Sequence, residues 1–181
     1  MINKDLIENY HYEKLNKYPD LSKFSCGVKD LDEFLKEDAY NQQEKNLNVT
    51  YLAIYKDEVI GDVSLLTDKI KCKQIDKSIQ SEYESYPAIK IGRLAVNEKY
   101  KGLGLGNKIL ASISELIKEI SEEVGVSFIT VDAYCNARKF YLKNSFKQKR
   151  IHNSENLKRK SQRDETTSIF MYKHIKKVKI T

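Results

Sequence analysis

The chain reads IGRLAV at residues 91–96 and, after four further residues, KGLGLG at residues 101–106. The first stretch is rich in the branched aliphatic side chains that favour a β-strand. The second opens a segment whose apolar residues recur at helical spacing, namely Leu105, Ile109, Ile113, Leu116, Ile117 and Ile120. Alternate glycines let a ligand approach the backbone, and a helix N-terminus offers unpaired N–H groups and a positive dipole end. The sequence therefore predicts a strand, a glycine turn and a helix that hold the pyrophosphate of a cofactor.

Two other glycine-rich motifs fail to match these residues. A dinucleotide fingerprint, G-x-G-x-x-G, meets Asn107 when it starts at Gly102 and Ile109 when it starts at Gly104. A P-loop needs Lys and then Ser or Thr after its last glycine, whereas Gly106 is followed by Asn-Lys-Ile. A tight turn alone would explain one glycine well but three at alternate positions poorly. The register therefore disfavours both dinucleotides and nucleoside triphosphates.

Length and composition indicate one ordinary domain. The chain has 181 residues, of which 40% are apolar or aromatic, so it can bury a sizeable core. Its three cysteines, Cys26, Cys72 and Cys135, lack the spacing of a disulfide framework or a zinc site, and we expect no metal. The N-terminus has no basic stretch followed by an apolar one, and no segment is as long as a membrane span. We therefore expect a soluble cytoplasmic protein that has no membrane partner.

Further strands and helices are predicted on both sides of the glycine turn. Strand-forming runs occur at residues 49–55, 59–66, 88–96, 126–131, 147–151 and 168–172. Helical patterns occur at 30–39, continuing toward 44, from 105 until Gly125, and at about 136–144. The first two strands read as an antiparallel hairpin, and the strands on either side of the long helix should be parallel neighbours. The order predicts a mixed, mostly antiparallel sheet.

Positive charge is concentrated toward the C-terminus. The net charge is +6, and from residue 147 onward the chain carries eleven basic residues against three acidic ones. A surface of this kind can attract a polyanion such as RNA, although the same residues also fit a solvated loop and tail. The role of the basic loop at 152–167 stays open.

Two motifs resemble those of the GNAT superfamily of acyl-CoA-dependent N-acetyltransferases. The pattern K-x-x-G-x-G beside RLAV resembles its motif A, and NARKFYLKNSF at 136–146 resembles its later helix. Lys101 stands where the family prefers Arg or Gln, and Ser145 stands where it usually has glycine. The resemblance implies a single GNAT-type domain over residues 1–181 with an α/β fold of the α+β type. Its mixed, mostly antiparallel sheet would have six to seven strands flanked by helices, with one parallel βαβ step at the cofactor site.

The resemblance also implies the site residues. Acetyl-CoA would be the cosubstrate, attacked directly by an amine, and Tyr141 would be the acid that protonates the leaving thiolate. Backbone N–H groups near Leu94 and Val96 would bind the pantetheine arm and polarise the acetyl carbonyl. Asn136 could touch the cofactor, cap the helix that it opens, or do both. The implied cofactor-binding residues are Leu94, Ala95, Val96, Lys101, Gly102, Leu103, Gly104, Leu105, Gly106, Asn107 and Asn136.

A narrower resemblance concerns the acceptor. FSCG at 24–27, LDEFL at 31–35, TYLA at 50–53 and GRLAV at 92–96 look like the GNAT toxins that acetylate aminoacyl-tRNA. This resemblance implies a charged tRNA acceptor held through the basic C-terminal surface, a ribbon-helix-helix antitoxin and a homodimer. The alternatives are acetylation of a small amine or of a peptide or protein amine, and, more distantly, a non-catalytic acyl-CoA- or RNA-binding module.

The sequence names no general base. Glu82, Glu84 and Glu98 flank the central strand, and each also reads as an ordinary exposed charge. An α-amino group has a reference pKa of about 7.7–8.0 against about 10.4 for lysine, so it needs less help to lose a proton. The lack of an obvious base therefore favours an α-amine. The three histidines show no catalytic or metal spacing and are predicted to lie at the surface.

Overall fold

The computed structural model describes residues 6, 9–17, 19–79, 83–148 and 167–175. Seven strands form one sheet in the order β1-β2-β3-β4-β5-β7-β6, in which β4 and β5 are parallel. The strand pairs β1–β2, β2–β3, β5–β7 and β6–β7 are antiparallel. The strands are β1 His11–Lys14, β2 Val49–Tyr55, β3 Glu58–Lys71, β4 Ser85–Val96, β5 Phe128–Tyr134, β6 Lys147–Gln148 and β7 Ser168–His174. The predicted fold class, a mixed and mostly antiparallel sheet with one parallel step, is confirmed.

The helices follow the predicted apolar periodicity, with one irregular stretch. They are α1 Lys29–Glu33, a π-helical turn Phe34–Asp38, α2 Ala39–Glu44, α3 Leu105–Glu123 and α4 Arg138–Lys143. Single π-helical turns within α-helices are rare and are found often at functional sites. No helix in the described ranges is long and apolar enough to cross a membrane.

The chain divides into two compact units. The first comprises Met1–Leu66 and Ile91–Ile113. In it, the β2–β3 hairpin turns on Lys56 and Asp57, whose φ angles of 49° and 63° are typical of a two-residue turn matching the strand twist. Its core joins α1, the π-helical turn and α2 to the strands through buried side chains that include Phe24, Phe34, Leu35, Ala39, Leu52, Val59 and Ala95.

The second unit comprises Thr67–Lys90 and Ser114–Thr181. Its core is a group of buried side chains, Ile70, Ile75, Ala88, Phe128 and Tyr172. The Phe128 ring meets the rings of Tyr86, Tyr172 and His174 edge-on at 4.7–6.1 Å between centroids. The burial of His174 lowers its pKa, so this imidazole packs as a neutral aromatic ring near pH 7.

Several predicted boundaries shift. β3 runs to Lys71 rather than ending at Leu66, and β5 spans residues 128–134 rather than 126–131. The predicted cap of the helix at 136–144 is wrong. Residues Cys135–Ala137 form a 3₁₀ turn, so Ala137 becomes the N-cap of α4 and no side chain caps it. Residues 149–151 of the predicted basic strand, and the basic loop up to residue 166, lie outside the described residues.

Candidate active site

The glycine turn has the backbone conformation that only glycine adopts readily. Gly102 and Gly104 have φ angles of +77° and +82°, in the left-handed region that costs other residues about 1–2 kcal/mol. Both are exposed, and no atom lies within 4 Å of where a Cβ would stand. Helix α3 begins at Leu105, so its unpaired N–H groups follow this open backbone. The structure therefore has the open glycine turn and the helix start that the sequence predicts for a pyrophosphate site.

The segment before the turn is braced by residues distant in sequence. The Lys101 Nζ donates to the Cys26 carbonyl at 2.5 Å, and the Glu98 N–H donates to the Ser25 carbonyl at 2.8 Å. A Cβ at Gly27 would overlap the Glu98 carboxylate, so the segments around Gly27 and Glu98 approach each other closely. Lys101, one of the predicted cofactor-binding residues, therefore holds the FSCG stretch at 24–27 against the start of the glycine turn.

The strand residues predicted to hold the thioester lie in the same unit as the glycine turn. Ala95 is buried in the core against α1 and the π-helical turn, whereas Leu94 and Val96 are half-buried. Directly after the end of β4, the Asn97 side chain donates to the Lys23 carbonyl at 3.0 Å and ties the strand end to that segment. This segment is thus fixed on both sides before the turn begins.

Tyr141 lies in the second unit, where the end of α4 fixes its position. The Phe146 N–H donates to the Tyr141 carbonyl, the Ser145 N–H donates to the Leu142 carbonyl, and Ser145 has a φ of +67°. These two bonds and a left-handed residue make a Schellman cap, and the rings of Tyr141 and Phe146 meet at 5.2 Å. The family's usual glycine at residue 145 is explained by this conformation.

Burial determines the protonation state of the Tyr141 hydroxyl. Burial raises the pKa of Tyr141 well above its usual range. Within the described residues no hydrogen bond to this hydroxyl is found. The group is therefore protonated at neutral pH and has no competing acceptor there.

The other predicted site residues are less distinctive. Asn136 is exposed in its 3₁₀ turn, and Glu84 and Glu98 are exposed. His11 pairs with Glu13 at 3.1 Å, whereas Glu82 and His152 lie outside the described residues. The described residues include no group of three or more His, Cys, Asp or Glu side chains arranged for a metal ion.

Sequence reasoning missed Asp62. This β3 carboxylate is 1% exposed, and neither oxygen has a hydrogen-bond partner in the described part of the chain. Burial, added to the charge of Asp32, raises the pKa of Asp62 to about 8, although Arg93 acts in the opposite direction. The signal in the sequence was a lone acid within VIGDVSLL, a run that is otherwise apolar or small.

Comparisons with known proteins agree with this architecture. Residues 17–159 match the acetyltransferase (GNAT) domain family. A "tRNA-acetylating toxin" of Mycobacterium tuberculosis is 24% identical over 71% of this chain and 79% of its own length. A Sinorhizobium fredii protein named "Probable toxin TacT" is also 24% identical, over 62% of this chain and 65% of its own length.

Solved structures share the fold at low sequence identity. A tyrosine-to-phenylalanine mutant of KacT has a TM-score of 0.78 at 23% identity, covering 92% of this chain and 95% of its own. AtaT complexed with acetyl-methionyl-tRNAfMet has a TM-score of 0.75 at 22% identity, covering 90% and 94%. An AtaT mutant bound to acetyl-CoA and the C-terminus of the antitoxin AtaR scores 0.72 at 18% identity, covering 92% and 94%.

Proposed function

We propose, on the premise that this chain belongs to the acetyltransferase (GNAT) domain family and is an N-acetyltransferase, that its acceptor is the α-amino group of aminoacyl-tRNA. The observation that carries the acceptor is the similarity to the tRNA-acetylating toxin over 71% of the chain. The AtaT complex with acetyl-methionyl-tRNAfMet has the same fold. The donor is acetyl-CoA, and we treat residues 1–181 as one catalytic domain.

The open backbone at Gly102 and Gly104 supports the donor. In the proposal the amides from Leu103 to Gly106 hold the pyrophosphate, since the Asn107 N–H already donates to the Gly104 carbonyl at 3.1 Å. The half-exposed edge of Leu94 and Val96 holds the pantetheine arm. Lys101 and Asn136 are the remaining side chains proposed to contact the cofactor. Acetyl-CoA supplies an acetyl group activated as a thioester.

The chain's own groups carry the proton and charge changes. N–H groups near Leu94 and Val96 stabilise the negative charge that develops on the acetyl oxygen as the amine attacks. Tyr141 gives its proton to the departing sulfur, whose reference thiol pKa of about 8.5 makes it a modest leaving group. Burial raises the pKa of Tyr141, which keeps the phenol protonated until the thiolate forms.

The partners follow from the acceptor. An enzyme that acts on charged tRNA would work in the cytoplasm. Its basic C-terminal residues would contact the tRNA phosphates. A ribbon-helix-helix antitoxin and a homodimer belong to the same proposal, and the AtaT structure with AtaR supports the antitoxin.

Thiol release from acetyl-CoA by the purified full chain tests the acceptor. Charged tRNA should be turned over, and uncharged tRNA is the matched control because it has the same phosphates and no α-amine. A polyamine and a lysine peptide complete the comparison. Faster turnover of the polyamine or peptide would contradict the proposal, and no turnover with any amine would point to a non-catalytic binding module.

A further inference from the structure

Two buried groups of opposite character lack partners in the first unit. Both Asp62 carboxylate oxygens are unpaired acceptors, and the Arg93 Nε is an unpaired donor, within the residues that the structure describes. Leaving such groups buried without partners is destabilising, and more so when they are charged. Proteins tolerate this cost at places where a ligand or substrate completes the bonding.

The surrounding charges leave Asp62 and Arg93 available to a ligand. Asp32 faces Asp62 from α1, but it accepts hydrogen bonds from the Cys26 N–H at 2.7 Å and the Ser25 hydroxyl at 3.0 Å. The Cys26 thiol also interacts with Asp62, and burial raises the pKa of this thiol to about 12, so it stays neutral. Among the described residues, Arg93 is the cation whose charge lowers the pKa of Asp62.

Arg93 itself is only partly engaged. One terminal nitrogen donates to the Gly92 carbonyl at 2.9 Å, and the other lies 3.8 Å from Asp30. Its guanidinium stands 5.0 Å from the centre of the Phe34 ring, at the start of the π-helical turn. The Arg93 side chain is 37% exposed, so the Arg93 end of the Asp62–Arg93 pair reaches solvent.

Asp62 also lies beside β4, the strand that holds the acetyl group in the proposed function. Gly61, the neighbour of Asp62 in β3, is so near β4 that a Cβ on it would stand 2.9 Å from the Ala95 carbonyl oxygen. The same Cβ would stand 3.8 Å from the Val96 Cα. Asp62 is therefore next to the segment Leu94–Val96.

We infer that Asp62 and Arg93 form the subsite for the aminoacyl end of the acceptor, with Asp62 as the base for the amine and Arg93 as the donor to its ester carbonyl. An α-aminoacyl ester carries an amine and a carbonyl on adjacent carbons, which matches one unpaired acceptor and one unpaired donor. A polyamine or lysine side chain has the amine alone. This inference rests on the proposed function.

The reaction balances with these groups. The neutral amine attacks the acetyl carbon, the N–C bond forms, and the C–S bond breaks. The amine proton passes to the Asp62 carboxylate, either by direct contact once Arg93 has moved aside or through one water molecule. The Tyr141 proton passes to sulfur. Asp62 then loses its proton to solvent and Tyr141 regains one, which leaves N-acetyl-aminoacyl-tRNA and CoA.

The pH dependence of kcat/KM for charged tRNA tests Asp62. Below pH 7 the wild type must lose two protons, from the amine and from Asp62, so log(kcat/KM) should rise by about two per pH unit. Asp62→Asn should show a rise of about one per pH unit and a kcat/KM reduced by about 100-fold or more at pH 7.5. Asp57→Asn, in the exposed β2–β3 turn, is the matched control and should behave as the wild type.

Arg93→Lys tests the carbonyl contact. It keeps the charge but loses Nε, so KM for charged tRNA should rise by about tenfold while KM for acetyl-CoA is unchanged. Circular dichroism and thermal melting of each variant exclude a folding defect. An Asp62→Asn variant that is folded and keeps the wild-type slope overturns the inference.

The acceptor comparison separates this outcome from a failure of the proposed function. If the wild type acetylates charged tRNA and Asp62→Asn does so equally well, only the subsite is wrong. If the wild type prefers the polyamine, the proposed function fails first. The subsite is then wrong too, since an amine without a carbonyl would be the better substrate.

Discussion

Replacing Asp62 by Asn should change how the stability of the protein depends on pH. Burial raises the pKa of Asp62 from 3.8 to about 8, so the folded state binds this proton more tightly than the unfolded state. Stability from this group is therefore complete below about pH 4 and is lost as the pH rises toward 8. The largest slope is about 1.4 kcal/mol per pH unit. Between pH 5 and pH 7 the wild type should lose about 2–3 kcal/mol that Asp62→Asn keeps.

Urea denaturation at pH 5, 6 and 7 measures this difference. The free energy of unfolding of Asp62→Asn minus that of the wild type should grow steadily with pH. Asp57→Asn controls for the loss of an exposed aspartate and should show no such trend. A difference that stays constant over the three pH values would refute the reasoning, since it would mean that Asp62 ionises as an exposed carboxyl does.

Three further substitutions test other parts of the structure. Tyr141→Phe should lower kcat by about 100-fold with little change in the melting temperature, because the hydroxyl has no partner in the described chain; unchanged turnover would remove its role as acid. Gly104→Ala should cost about 1 kcal/mol by urea denaturation and raise KM for acetyl-CoA, whereas Gly125→Ala, without a positive φ, should do neither. An unaltered KM would contradict the proposed pyrophosphate site. Ser145→Gly should stabilise the protein by about 0.5–1 kcal/mol in the same assay, because Ser145 has a φ of +67°. A loss of stability would contradict that strain.

Local rules explain what the sequence could predict. Glycine at 102 and 104 marks a left-handed turn because the preference is a property of the residue itself. The hairpin at Lys56 and Asp57 follows from two strand-forming runs on either side of a short polar connection.

Contacts between distant residues explain what the sequence could not predict. The partner of Lys101 is the carbonyl of Cys26, and nothing local to either residue indicates it. The burial of Asp62 depends on which face of β3 the helices near Phe34 cover. Asn136 is not the N-cap because a 3₁₀ turn includes it and α4 begins only at Arg138. Helix propensities do not fix a helix start to within two residues.

The location of the transferred acetyl group tests the central claim most directly. The full chain is incubated with acetyl-CoA and charged tRNA, the tRNA is digested with ribonuclease, and the released aminoacyl nucleoside is analysed by mass spectrometry. The account predicts one acetyl group on the α-nitrogen of the amino acid, and none on uncharged tRNA. Acetyl found only on lysine side chains of added protein, with the aminoacyl nucleoside unmodified, would contradict it.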